Sequence, residues 1–521
     1  MKEEMMRVVR YGEFGAVGDG VTDDFAAIAK CHEYANENGC KVMADDGAKY
    51  YIGDTNGAAA VVKTDVDWRD ATFIVDDSII PPSSPTRTAQ LFKIERDYAK
   101  KVFDADSEVV KGMNAACPIK AFETCNVGYA PGHPALLVIY NNNHSAFIRW
   151  GCHATAKPNP QRELVTVDKD GNIDKETMLL LDFNEVTKVE EFRIDDKPIT
   201  LEGGKFITIA NCAPPVYTAY SRGLGVNRSN VTIKNVVHTI ERETETGAPY
   251  GGFISYHCLD NLRCENLTLS SHKSYRDYKP DGTVHSIMGS YDIGGSFATN
   301  VSFHNCPQCN YWKDEAAGIA YNESERWGIM GTNYCKNLAY YGCTLSRLDA
   351  HAGVYNVTIK DTTISYIKLT GGGTARIENC KIVHPEDRNF PVAELRCDYG
   401  STWCGDIIIK DVEYINLGKE YTIGLISASW NNWNFGYVTH LPRVTVDNLK
   451  ISDPSEKVFC FTRLTREAGT KIDMPVLDNG ETNLNPMDIE TTVTFKNDPG
   501  YNYFGCLDEY VSSKITLKHE K

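Results

Sequence analysis

A short segment near residue 350 carries three side chains that could share a proton-transfer site. Arg347, Asp349 and His351 alternate with apolar residues in the run Arg-Leu-Asp-Ala-His. Residues two apart in a β-strand project from the same side, so a strand here would place all three together. An aspartate beside a histidine can orient the imidazole or hold the proton of an acid. The alternative is a structural ion pair, which brings together the same residue types.

Further ionisable and aromatic residues lie at comparable places in the neighbouring segments. A dense polar stripe flanked by aromatic rings is typical of a sugar site, where carboxylates act as acid and base and rings stack on sugar faces. A solvated sheet face with ion pairs is the alternative. The predicted catalytic residues are Asp292, Asp349, His351 and Glu394. The predicted substrate-binding residues are Arg347, Arg396, Asp398, Trp327, Lys273 and Trp430.

A short repeat from about residue 225 provides the elements that would position these side chains. Most copies read apolar-polar-apolar-polar and then Asn, Asp or Gly, as in Asn356-Val357-Thr358-Ile359-Lys360-Asp361. Alternation indicates a strand, and the last residue indicates a turn. The copies that end at Gly342, Asp361 and Asn379 are 19 and 18 residues apart, close to one coil of a solenoid. The copies end at residues 235, 266, 305, 342, 361, 379, 411 and 448.

The N-terminal region adds a helix of about residues 24–38 behind Phe14-Gly15-Ala16-Val17-Gly18-Asp19-Gly20-Val21-Thr22-Asp23-Asp24. This motif resembles the opening of pectate-lyase-superfamily β-helices, a group that includes phage tailspikes and polygalacturonase relatives. The resemblance implies an all-β, right-handed parallel β-helix with an N-terminal capping helix. It also implies a carbohydrate substrate and a homotrimer. The motif covers about sixty residues, and no catalytic residue of the group transfers, because its Asn-Thr-Asp, Gly-His-Gly and Arg-Ile-Lys sets are absent here.

The chain is expected to divide into four regions. Residues 1–95 form the N-terminal cap and first coils. Residues 96–215 interrupt the rhythm with Pro and Gly turns and form an inserted β-rich subdomain. Residues 216–455 form the main β-helix with the active face, and residues 456–521 form a C-terminal cap or tail.

Composition excludes several functions. The 70 acidic and 54 basic residues give a formal charge of -16, which disfavours nucleic acid. No apolar run reaches the roughly 20 residues of a membrane span, and Met1 to Arg10 lack a signal-peptide core, so we expect a cytoplasmic location, or secretion if a signal was trimmed. The 17 scattered cysteines predict buried small residues rather than a zinc ribbon. No cofactor is expected, although surface aspartates leave bound Ca²⁺ open.

Three reactions fit these residues. A glycoside hydrolase is predicted first, with two of Asp292, Asp349 and Glu394 as the paired carboxyl groups. A polysaccharide lyase or uronate epimerase is the first alternative. Its base would be a Lys, Arg, His or Tyr and a cation or Arg would stabilise the intermediate, roles for which His351, Lys273, Arg396 and Tyr399 are the candidates. A non-catalytic glycan-binding protein of the tailspike kind is the second alternative.

Overall fold

The computed structural model confirms a parallel β-helix with an N-terminal capping helix and an inserted β-rich subdomain. Three stacks of strands run along it, and within each stack a strand pairs in parallel with the equivalent strand of a neighbouring coil. The residues described are 7–147, 159–214, 219–244, 246–270, 276–278, 284–287, 290–308, 312–315, 318–321, 328–384, 391–416, 423–429, 438–452, 457–464 and 487–520.

The first coils surround the helix that closes this end of the solenoid. Helix α1 (Phe25–Asn38) buries Phe25, Ile28 and Ala35 in the same core as the strands. It ends at Gly39, whose φ of 64° is left-handed and is adopted by glycine without strain. The strands β1 to β7 are Val8–Arg10, Asp19–Asp23, Lys41–Met43, Lys49–Ile52, Ala60–Val62, Val66–Asp76 and Phe92–Glu95.

The inserted subdomain is a four-stranded antiparallel sheet of order β10-β9-β11-β8, with helix α2 (Glu108–Ala115) and a core of its own. A second apolar cluster joins it to the solenoid: Leu136, Val138, Leu164 and Phe192 pack with solenoid residues that include Tyr399. The strands β8 to β11 are Lys101–Asp104, Ala135–Phe147, Asn159–Val167 and Lys188–Arg193.

The remaining strands continue the solenoid or pair in small two-stranded sheets. β12 to β20 are Ile199–Ile209, Leu224–Asn227, Val231–Lys234, Val237–Glu241, Gly251–Glu265, Arg276–Tyr278, Val284–Ile287, Ser290–His304 and Trp312–Glu315. β21 to β29 are Gly318–Tyr321, Gly328–Asn333, Lys336–Tyr341, Thr344–Ala350, Val354–Lys360, Thr363–Leu369, Gly371–Glu378, Lys381–His384 and Ala393–Leu395. β30 to β38 are Trp403–Asn416, Ile423–Ser427, Thr439–His440, Arg443–Ile451, Val458–Thr462, Met487–Asp488, Thr491–Lys496, Tyr503–Phe504 and Ile515–His519, and helix α3 (Glu509–Ser513) lies near the end.

The asparagine stack contains the eight strands that the repeat predicted, together with β12 before them and β36 and β38 after them. The predicted strands are β14, β16, β19, β23, β25, β27, β30 and β33. Its register superimposes apolar side chains, so that Leu338 lies between Val301 and Val357 in a dry core. Asparagines flank these strands and bond from coil to coil: Asn337 Nδ2 donates to Asn300 Oδ1 at 3.0 Å, and Asn356 Nδ2 donates to Asn337 Oδ1 at 3.1 Å.

The site stack contains β7, β13, the first halves of β16 and β19, and then β22, β24, β26, β29, β31, β34 and β37. Its inward residues, such as Ile293, Met330 and Leu348, belong to the solenoid core. Its outward residues carry the ionisable side chains, because polar groups that cannot be paired are expensive to bury.

Candidate functional site

One column of the site stack changes from glycine to charged residues. The strand register places Gly294, Gly331, Asp349, Lys368 and Glu394 at equivalent positions of successive coils. Equivalent positions of neighbouring coils lie about 4.8 Å apart. The column therefore has no side chains of its own at the two glycines and a dense group of charged side chains at the positions that follow.

Asp349 is the centre of an ion-pair cluster that consists of Arg347, Asp349, His351, Arg396 and Asp398. Its carboxylate accepts hydrogen bonds from Arg347 Nη2 and Arg396 Nη1, and His351 Nε2 lies 3.6 Å from Oδ2. Arg396 also donates to both carboxylate oxygens of Asp398, from Nε at 3.0 Å and from Nη2 at 2.8 Å. The predicted alternation of Arg347, Asp349 and His351 therefore brings the three side chains together.

The environment of Asp349 keeps its carboxylate charged. Burial by itself would raise the pKa of this group, but the charges of Arg347, His351 and Arg396 outweigh it and hold the pKa well below the usual range. The Asp349 side chain is 0% exposed. It is therefore suited to orienting the neighbouring side chains and stabilising their positive charges, rather than to contacting a substrate.

Glu394 belongs to a second group on the next coils. Lys368 Nζ lies 3.0 Å from Glu394 Oε1, and the Tyr366 hydroxyl donates to Oε2. Burial, reinforced by the Glu394 charge, raises the pKa of Tyr366, so its hydroxyl stays protonated. The ring of Tyr366 also lies under two cations, 5.5 Å from Arg347 Cζ and 4.9 Å from Lys368 Nζ.

A groove of about 380 Å³, which we call the tyrosine groove, lies over the glycine end of the column. Glycine is required there: a Cβ at Gly331 would overlap the partly exposed Tyr291 ring, and Gly295 leaves room for the Tyr256 ring, which is buried in the solenoid core. A partly exposed ring beside glycines suits a sugar, whose apolar face stacks on aromatic carbon. The groove is lined by Ala219, Asn227, Pro249, Tyr250, Gly251, Ser255, Tyr256, His257, Tyr291, Gly294, Gly295, Ser296, Gly331, Asn333 and His351.

His351 connects this groove to the ion-pair cluster. It lines the groove, and its Nε2 lies 3.5 Å from the Tyr291 hydroxyl and 3.6 Å from Asp349 Oδ2. The Tyr399 ring lies on the other side, with its centroid 6.4 Å from that of the imidazole. A groove-facing imidazole backed by a buried carboxylate is an arrangement that can accept or deliver a proton.

The other predicted site residues are placed differently. Asp292 is buried and accepts a hydrogen bond from Gln308 Nε2, whose own carbonyl accepts from the Ser346 backbone N–H at 2.7 Å. It belongs to this polar group and does not line the tyrosine groove. Trp327, Lys273 and Trp430 lie outside the described residues.

Several residues of the site carried no sequence signal that singled them out. Tyr291 and Tyr366 are two of 28 tyrosines, and Gly294 and Gly331 are two of 41 glycines. Their role depends on the register between coils that are 18 to 40 residues apart. Only alignment of the segments before each repeat copy could have placed them, and β-bulges such as that between Tyr291 and Ile293 shift this alignment.

The described residues contain no group of three or more His, Cys, Asp or Glu side chains that could hold a metal ion. Over the same part of the chain, no helix is both long enough and apolar enough to cross a membrane.

No known protein family matches the sequence, and no curated protein is significantly similar to it. Solved structures with a similar course of the chain include a tailspike of Acinetobacter baumannii bacteriophage AP22 in complex with capsular saccharide (10% identity, 98% of this chain and 79% of that chain covered, TM-score 0.42). A Streptococcus pneumoniae surface adhesin has 11% identity, with coverages of 98% and 100% and a TM-score of 0.39. A Yersinia enterocolitica family 28 exopolygalacturonase has 11% identity, with coverages of 99% and 79% and a TM-score of 0.31.

Proposed function

We propose that this protein is a carbohydrate-active enzyme that removes the C5 proton of a uronate residue in a glycan, as a lyase or an epimerase. One observation carries the proposal: the acid–base groups among the described residues that line the tyrosine groove are histidines and tyrosines, and none of them is Asp or Glu. Histidine and tyrosine can remove the C5 proton, which lies next to the carboxylate of the uronate. Hydrolysis by the usual route instead needs two carboxyl groups of the protein at the sugar.

Each part of the site has a role in this reaction. His351 takes the C5 proton, and Asp349 stabilises the imidazolium that forms, at 3.6 Å. Arg347 and Lys368, whose side chains are 18% and 17% exposed, lie beyond the groove lining and contribute positive charge that favours the uronate carboxylate and the charge that develops on it. In elimination, the C5–H electron pair forms the C4=C5 double bond while the C4–O4 bond breaks, its electron pair leaves on O4, and the Tyr291 hydroxyl protonates that oxygen. In epimerisation, a proton returns to C5 from the opposite face.

A glycoside hydrolase is the second candidate, and the charged column favours it. Asp349 and Glu394 are two coils apart in one column, which separates their backbones by about 9.6 Å. Inverting hydrolases hold their two carboxyl groups about 6.5–9.5 Å apart. Against this candidate, the Asp349 side chain is fully buried and Lys368 lies between the two positions.

The test is digestion of neutral and uronate oligosaccharides by the protein and by His351→Gln. An ultraviolet-absorbing unsaturated product of unchanged total mass identifies the lyase, and exchange of the C5 proton with deuterated solvent identifies the epimerase. We expect His351→Gln to reduce either activity by at least about 100-fold. His304→Gln is the matched control, because His304 lies on the asparagine stack against Tyr341.

Products that gain one water, and that still form with His351→Gln, would replace this proposal with the hydrolase. Binding of glycans without product or proton exchange would leave only a glycan-binding protein.

A further inference from the structure

A second and larger groove lies between the inserted subdomain and the solenoid. This interdomain groove has a volume of about 680 Å³, within the range of about 300–1,000 Å³ that is typical of ligand sites. Its lining combines apolar side chains with hydroxyl, amide and imidazole groups that can bond to a sugar. Two carboxylates also line it, and each is paired with a lysine: Glu163 with Lys336, and Asp182 with Lys120. The other lining residues that matter below are Phe122, Ala352 and Tyr399.

The two walls of the interdomain groove are fixed to each other by a buried ion pair. Lys336 of the solenoid is fully buried, and its Nζ donates to Glu163 of the inserted sheet at 2.9 Å. The same Nζ donates to the carbonyls of Thr177 and Met178, at 3.1 and 2.6 Å. Glu163 also accepts the backbone N–H of Leu180 at 2.7 Å. A charge pair with its hydrogen bonds satisfied holds one geometry, so the groove is formed before any ligand binds.

Phe122 is the aromatic residue that this groove exposes. It is 40% exposed, with a ring centroid 6.3 Å from that of Tyr355. Its φ of 60° lies in the left-handed region, which is strained for a bulky residue. The backbone N–H of Phe122 donates to Leu179 O at 3.2 Å, which holds the segment in place. Residues with a strained backbone cluster at active sites and ligand clamps.

The interdomain groove lies beside the tyrosine groove, on the side of Ala352 and Tyr399. His351 lines the tyrosine groove, and its chain neighbour Ala352 lines the interdomain groove. Tyr399 lines the interdomain groove, and its ring lies 6.4 Å from His351. A linear ligand in the tyrosine groove that continues past His351 would therefore meet the wall of the interdomain groove.

We infer that the interdomain groove binds the sugars of the same glycan chain on the far side of His351, with Phe122 as a stacking platform. The inserted subdomain thereby makes the protein selective for long chains that it contacts on both sides of the reacting residue. This inference rests on the proposed function, because it takes the uronate chain as the ligand of both grooves.

The test compares Phe122→Ala with the unaltered protein on oligouronates of increasing length, from disaccharide to octasaccharide. Binding is measured by calorimetry and turnover by product formation. We expect Phe122→Ala to weaken binding of the octasaccharide about fivefold to tenfold, and to raise its KM in parallel, since one aromatic stack is lost. We expect the disaccharide to be unaffected. Tyr510→Ala is the matched control: Tyr510 is 43% exposed, on helix α3 near the C-terminal end of the solenoid, and does not line the interdomain groove.

The outcomes separate the two proposals. Length-dependent binding that requires Phe122, without turnover, supports the interdomain groove and rejects the proposed reaction. Turnover that is equally fast for all lengths, and unchanged by Phe122→Ala, rejects the groove and keeps the reaction. A protein that binds none of these chains contradicts both.

Discussion

Asp349 illustrates how a buried charge can serve a site that it does not touch. Its carboxylate lies between two guanidinium groups, and one of these, Arg396, is shared with Asp398. Charges removed from water must be paired and hydrogen-bonded, and the cluster satisfies this requirement. The same carboxylate lies 3.6 Å from His351 Nε2, so one group contributes both to the ion-pair cluster and to the proposed proton transfer.

Substitution of Asp349 by Asn is therefore expected to destabilise the fold by about 3 kcal/mol, because Arg347 and Arg396 would lose their buried counter-charge. The pKa of Asp349 is lowered in the folded state, so its contribution is complete above the carboxyl pKa of the unfolded chain, about 3.9, and is lost as the pH falls below that value. Chemical unfolding of Asp349→Asn and of the unaltered protein at several pH values measures this difference.

Asp398→Asn is the control for this experiment, because Asp398 binds the same Arg396 but its side chain is partly exposed. We expect a loss of about 1 kcal/mol or less, in keeping with exposed ion pairs. Equal losses for the two variants, or a difference between Asp349→Asn and the unaltered protein that varies between pH 5 and pH 7, would contradict the role assigned to Asp349.

At the scale of the strand, the repeat predicted the fold through its turn residues. All eight residues that end the repeat copies, from Asn235 to Asn448, have φ between 51° and 62°. Asparagine, aspartate and glycine are the residues that tolerate this conformation, so their spacing reveals the coils. The strand alternation between them then fixes which side chains enter the core.

The candidate site was only partly predictable, because local alternation indicates the strands but not how strands of different coils pair. Arg347, Asp349 and His351 lie on one strand, and local alternation was enough to bring them together. Tyr291 and Gly331 depend on pairing between coils, with a bulge beside Tyr291 that no local pattern indicates. Asp292 was predicted as catalytic from its distance to the repeat alone, but it contacts Gln308 away from the tyrosine groove.

The asparagine ladder provides a prediction at this scale. Asn337 has a φ of 57° and bonds to an asparagine on each side, so Asn337→Ala loses two hydrogen bonds and also strains the backbone. We expect a cost of about 2 kcal/mol in the free energy of unfolding. Asn337→Gly loses the same bonds without strain and should cost about half as much. If glycine proved as harmful as alanine, left-handed strain would have no part in the effect.

At the scale of the whole molecule, the solenoid and the inserted subdomain form two walls around one reaction centre. The solenoid provides the charged column and the glycines that line the tyrosine groove, and the inserted sheet provides the far wall, fixed by Lys336 and Glu163. Burial lowers the pKa of Lys336, and its contact with Glu163 opposes this shift. A long stack of coils thus gains a defined cleft without interrupting its repeating core.

The long core also makes the molecule sensitive to acid. Three histidines, His32, His238 and His384, are buried, and burial lowers the pKa of each from 6.5 to about 3. They remain neutral when folded but bind protons in the unfolded chain below about pH 6.5. Unfolding is therefore favoured as the pH falls from about 6.5 to about 3, and each histidine contributes about 1.4 kcal/mol per pH unit.

Replacement of His238 by Phe tests this origin of acid sensitivity. His238 stacks on Phe253 with ring centroids 4.0 Å apart, so phenylalanine retains the stacking and loses only the hydrogen bond to Thr208. We expect a constant loss of stability near neutral pH and a slope with pH that is shallower by about 1.4 kcal/mol per unit between pH 4 and pH 6. His519→Gln, at an exposed position, should keep the original slope. An unchanged slope in His238→Phe would mean that other groups, such as the buried carboxylates, determine the acid limit of this solenoid.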